Sequence, residues 1–121
     1  LASSEGKAIV IVQGDHGPCC FTHHEELRNT YLKDRMAILA ALHLPGQVQK
    51  GLYETVTPVN FFRIIFKGYF GLDYPPLADR SFYSSVLAPY KFVDVTDEIG
   101  SEADRKRYEW LKGQDYYGKS D

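Results

Sequence analysis

Thr57-Pro58 opens the segment that most restricts what this chain can fold into. Threonine is a good helix N-cap, and proline fixes φ at the first helical position, where its missing N–H costs nothing. The spacing predicts a helix from Pro58 to about Tyr69, closed near Gly71. Val59, Phe61, Phe62, Ile64, Ile65 and Phe66 cover most of its circumference, leaving Asn60, Arg63 and Lys67 as one polar stripe. Such a helix is expected to be buried on most sides. A buried side chain of this size contributes roughly 1.5–3 kcal/mol, so one open face costs an appreciable part of a small domain's stability.

The rest of the chain alternates strand-like and helix-like segments. Residues 7–13 (Lys-Ala-Ile-Val-Ile-Val-Gln) are apolar and β-branched and end at a glycine. This pattern predicts a strand covered on both faces in the middle of an α/β sheet. Thr22 to Asp34 reads as a surface helix or helical loop, with Thr22 and Glu25 spaced as a capping box and Leu27 and Tyr31 on one face. Met36–Leu44, halted by Pro45-Gly46, leans to a second buried strand, and residues 47–57 to a loop. Residues 71–89 read as an irregular, aromatic excursion, and Tyr90–Thr96 alternates as a third strand. Ser101 caps a charged helix from about Glu102 to Lys112, with Tyr108 and Leu111 as its apolar contacts, and a polar tail follows over 113–121. The order predicts an α/β fold with a small sheet. Three strands and one nearly all-apolar helix make an incomplete core. The 121 residues are therefore expected to be one domain that is a piece of something larger or half of a homo-oligomer.

Composition narrows the function. Fourteen basic and sixteen acidic residues give a formal net charge of −2, against a nucleic-acid-binding face or a polybasic membrane patch. No apolar run reaches the roughly 18–20 residues that span a bilayer. The adjacent Cys19 and Cys20 do not suit a disulfide framework. The compartment stays open.

The best site candidate is Asp15-His16, directly after the first strand, where ligands of open α/β sheets bind. Neighbouring side chains in an extended turn diverge, so carboxylate and imidazole can each face one of two metal ions, which together clamp a phosphoryl or sulfuryl displacement. Gly14 and Gly17 permit a sharp turn and close approach. An ordinary polar turn is the competing account. Cys19-Cys20-Phe21-Thr22-His23-His24 holds four soft-metal donors, with Cys19/His23 and Cys20/His24 spaced i, i+4. Adjacent ligands rarely converge on one ion, so these residues read as polar loop residues and two packed thiols. His43 reads as a hydrogen-bonded strand-end residue, and Arg63 and Lys67 as a solvated stripe.

The sequence Val10-Ile11-Val12-Gln13-Gly14-Asp15-His16-Gly17 resembles the strand-plus-Asp-His-Gly segment of the alkaline phosphatase superfamily, which includes sulfatases, nucleotide pyrophosphatases and phosphoglycerol transferases. Arg35–Gly46, Val56–Phe62 and Pro75–Ser81 are similar to the segments that follow in that family, in order, so the resemblance covers roughly residues 7–96. It implies a partial sandwich with a small mixed sheet flanked by helices, like the C-terminal portion of an alkaline-phosphatase-like fold. It implies a parent that is a metal-dependent hydrolase or transferase of phosphate or sulfate esters, with Asp15 and His16 as ligands of a divalent ion (zinc, manganese, calcium or magnesium). His23 or His24 is a candidate substrate contact in that parent. The family's nucleophile and first acidic ligands precede the Asp-His-Gly segment, and only six residues precede the strand here. The nucleophile is thus expected outside this chain, and the chain alone is expected to be inactive. Parents in this superfamily are often extracytoplasmic or membrane-anchored. The rival class is a non-enzymatic α/β binding or structural domain.

Overall fold

The computed structural model describes residues 5–114, which form two compact units. The described residues up to Gln13 with Ala40–Arg80 make the first unit, and Gly14–Leu39 with residues 81–114 make the second. The chain is α/β, with two two-stranded antiparallel sheets and three α-helices among the described residues. The expected mixed sheet is corrected on this point: both pairings are antiparallel. Among the described residues no helix is long and apolar enough to cross a membrane. Residues 115–121, most of the expected polar tail, lie outside the described residues.

In the first unit β1 (Val10–Gln13) pairs with β2 (Ala40–His43), Val10 facing His43 and Gln13 facing Ala40. The strand expected over residues 7–13 is shorter, Val10–Gln13, and is not covered on both faces: Val12 stays 53% exposed. A 3₁₀ turn at Val48–Gly51 leads to α2 (Pro58–Phe70). Thr57 is extended before it, and Gly71 closes it at φ 67°, a left-handed cap that glycine adopts without strain. Gly68 lets α2 approach Val48, whose Cγ2 would stand 2.5 Å from a β-carbon there.

The burial of α2 departs from expectation in two ways. Phe61 and Ile65 are buried, but Val59, Phe62, Phe66 and Phe70 remain exposed. Phe66 is the hub of an outer aromatic ladder, with ring centroids 6.1 Å from Phe62, 6.2 Å from Phe70 and 5.9 Å from Tyr74. Asn60, read as part of the solvated stripe, is instead buried. Its amide donates to the Leu77 carbonyl at 2.9 Å and to Asp79 Oδ1 at 2.9 Å, and accepts from Leu77 N–H at 3.1 Å. These partners satisfy the amide and make its burial affordable.

The second unit is built on Leu32, Tyr83 and Val95, with Leu27, Met36 and Ile99 packed around them. A 3₁₀ turn at Leu27–Asn29 precedes α1 (Leu32–Met36), and β3 (Phe82–Ser85) pairs with β4 (Ala88–Asp94). Residues 82–85 thus form a strand inside the stretch read as irregular. Of the surface helix or helical loop expected over Thr22 to Asp34, no helix begins at Thr22; the 3₁₀ turn and the start of α1 are its helical parts. The Thr30 hydroxyl accepts from His23 N–H at 3.0 Å and donates to the His23 carbonyl at 2.9 Å, folding residues 23–30 into a closed loop. The charged helix appears as α3 (Glu102–Lys112), and the Ser101 hydroxyl caps Asp104 N–H at 3.2 Å. Leu111 is fully buried, and Tyr108 stacks on Tyr31 at 4.6 Å and meets Phe21 edge-on at 5.1 Å.

Candidate functional site

The loop after β1 is pinned at three points. Gly14 N–H donates to the Leu39 carbonyl at 2.9 Å, Gly17 N–H to the Arg35 carbonyl at 2.9 Å, and Phe21 N–H to Asp34 Oδ2 at 3.1 Å. At Gly17 the loop and the end of α1 touch backbone to backbone, an approach only glycine permits.

Between these anchors stand Asp15 and His16. The Asp15 side chain is 92% exposed and that of His16 46%, with His16 Nε2 3.8 Å from Asp15 Oδ1. His16 Nδ1 lies 2.6 Å from the Gly17 carbonyl, which only accepts. In the neutral ring that contact puts the proton on Nδ1 and leaves Nε2 as the acceptor nitrogen beside the carboxylate.

Cys19 adds a group that sequence reading did not connect with His16. Its φ of 62° turns the chain back. Its Sγ lies 3.2 Å from His16 Nδ1, 3.1 Å from the Gly17 carbonyl and 3.0 Å from Arg35 Nη1. The one sequence clue to Arg35 is that no acidic residue stands three or four positions from it, where a helix would pair its charge.

The remaining histidines lie elsewhere. His16 lines a shallow recess with Gly17, Pro18 and Ala37–Leu39, whereas His24 is exposed on a different cavity shared with Thr22 and Arg35. The His23 carbonyl accepts from the Tyr83 hydroxyl at 3.0 Å, and burial raises the pKa of that phenol. His43 ends β2 in the first unit, its Nε2 3.3 Å from the Gly6 carbonyl. Residues 19–24 are not helical, so the i, i+4 spacing of Cys19/His23 and Cys20/His24 does not set them on one face.

Among the described residues no group of three or more His, Cys, Asp or Glu is placed to hold a metal ion. Asp15 and His16 offer two donor atoms side by side, a carboxylate oxygen and an imidazole nitrogen, fewer than a complete metal shell takes. Comparison with family models, with curated proteins and with solved structures gives no match.

Proposed function

We propose that Asp15 and His16 are two ligands of a divalent-metal centre in a phosphate- or sulfate-ester hydrolase or transferase, and that the chain is the C-terminal part of an alkaline phosphatase/sulfatase-like domain. The observation that carries this reading is the pair itself: both side chains are open beside each other at the end of β1, with His16 Nδ1 engaged and Nε2 free. An oxygen and an imidazole nitrogen suit zinc or manganese, whereas calcium and magnesium favour oxygen donors alone. A bound ion polarises the ester oxygen and offsets charge developing in the displacement. The chain's own residues do the holding. Gly17 fixes the loop against α1, and its carbonyl sets the His16 tautomer.

In this reading the nucleophile and the other ligands come from outside these residues, so the chain alone is inactive. The test is ester hydrolysis by the product of the open reading frame that encodes the chain, assayed on nitrophenyl phosphate and nitrophenyl sulfate with zinc or manganese. Metal ligation supplies several kcal/mol of transition-state stabilisation, so Asp15→Ala and His16→Ala each lower kcat/KM by about a hundredfold or more. Wild-type rates in both variants overturn the assignment, and robust turnover by the 121-residue chain alone overturns the half-site reading.

A further inference from the structure

The second unit contains a cavity of about 270 Å³ apart from the recess that His16 lines. Its polar lining includes Thr22, His24, Arg35 and Ser84, and its apolar lining includes Met36 and Pro89. No acidic residue lines it. Two of the polar groups lack an adequate partner. Arg35 is half-buried, and Nη1 contacts the Cys19 sulfur, a weak acceptor, at 3.0 Å. Among the described residues no carboxylate lies within ion-pair distance of its guanidinium. Thr22 Oγ1 is buried with no hydrogen-bond partner among the described residues. Buried hydroxyls are nearly always satisfied, and a half-buried guanidinium without a counter-charge is matched by a planar or tetrahedral oxyanion, which its fork engages through two N–H groups.

We propose that this cavity binds a small oxyanion carried on an apolar body, with Arg35 as the anion fork, Thr22 and Ser84 as hydroxyl contacts, and Met36 and Pro89 against the apolar part. The proposal does not rest on the metal reading, because neither Asp15 nor His16 lines the cavity. The size limits the ligand to a single-ring or short-chain compound, below the range of larger organic ligands.

The experiment titrates phenyl phosphate, inorganic phosphate and phenol into the ¹⁵N-labelled 121-residue chain, followed by amide shifts and calorimetry. Phenyl phosphate is expected to saturate, more tightly than inorganic phosphate, with phenol weakest and with affinity falling as salt rises. Shifts are expected at residues 22–24, 35–36 and 84–86. Loss of a charge-assisted contact corresponds to about a tenfold or greater weakening, so Arg35→Gln weakens phenyl phosphate by at least that factor and Arg35→Lys, which keeps charge but not the fork, by less. Thr22→Val weakens binding several-fold while leaving the melting temperature unchanged or raised, because it removes an unsatisfied buried hydroxyl. Phenol binding as tightly as phenyl phosphate, shifts confined to residues 15–17, or no saturation by about 10 mM overturns the proposal. If Arg35→Gln does not fold, Thr22→Val decides alone, and unchanged affinity in that variant overturns it.

Discussion

Gly17 packs so closely on Asp34 that a β-carbon at residue 17 would stand 1.8 Å from the Asp34 carbonyl oxygen. The obstacle is backbone at the end of a helix, so no side-chain rotation relieves it. Gly17→Ala is expected to push the loop off α1, break the Gly17–Arg35 hydrogen bond and destabilise the chain by about 1–3 kcal/mol, the usual range for overpacking. Gly14→Ala is the control: its β-carbon would be 3.2 Å from the His16 carbonyl, a contact that a small shift relieves. Urea midpoints of the two variants check the order.

Asp104 is fully buried and accepts Leu32 N–H at 2.8 Å, Lys33 N–H at 3.0 Å and Gly100 N–H at 2.9 Å. It also pairs with Arg107 at 3.1 Å, and Arg107 is held in turn by Glu98 and the Thr30 carbonyl. One carboxylate thus caps α1 from 72 residues away and neutralises the cation beside it. Asp104→Ala leaves those N–H groups and Arg107 without their acceptor, and the expected loss is about 3–5 kcal/mol in chemical denaturation. A loss below about 1 kcal/mol contradicts this role.

Asp79 closes the start of α2. Burial pushes its carboxyl up, but hydrogen bonds from Thr57 Oγ1, the Tyr53 hydroxyl, Thr57 N–H and Asn60 outweigh this and bring its pKa down to about 2. The hydrogen bond to Asp79 in turn raises the pKa of Tyr53. A depressed folded-state pKa stabilises the chain above the unfolded value of about 4, and that contribution is lost as pH falls through the folded value. Stability is therefore expected to drop between about pH 4 and pH 2, and Asp79→Asn to flatten the pH dependence in that window. Thermal melts of both proteins at stepped pH check the sign.

The ladder of Phe62, Phe66, Phe70 and Tyr74 leaves one face of α2 open, and Tyr90 is 90% exposed on β4. Apolar faces of this kind favour self-association. Sedimentation at micromolar concentration is expected to show species larger than the 13.8 kDa monomer, and Phe66→Lys to reduce them. A strictly monomeric wild type contradicts the expectation.

What was legible in the sequence is what is local. Pro58 and Gly71 bound α2, and the Ser101 hydroxyl caps α3, because these signals act within a few residues of themselves; the Thr57 hydroxyl, expected to cap α2, makes no cap hydrogen bond and donates to Asp79 instead. The strands over Val10–Gln13 and Ala40–His43 were visible as apolar runs, but their antiparallel pairing was not, nor was their exposure, because both depend on what residues far along the chain pack against them. Asn60 looked solvated because its partners, Leu77 and Asp79, lie 17 and 19 residues away. The Thr22–Glu25 capping signal lost to Thr30, whose hydroxyl closes the loop, and to Asp104, which starts the helix at Leu32 instead. At the site, Asp15 and His16 were legible as neighbours after a strand. Cys19 and Arg35 were not, since their contact spans 16 residues and depends on the turn at Cys19 and the placement of α1.

The central claim, that the Asp15-His16 pair is one side of a metal centre, is tested most directly by titrating zinc into the 121-residue chain while following the ring nitrogens of His16, His23, His24 and His43 by ¹⁵N NMR. The account predicts that His16 Nε2 shifts first and saturably, that Nδ1 stays protonated, and that Asp15→Ala weakens the response by about tenfold or more. A His16 ring that does not move, or zinc taken up only at His23 and His24, contradicts it.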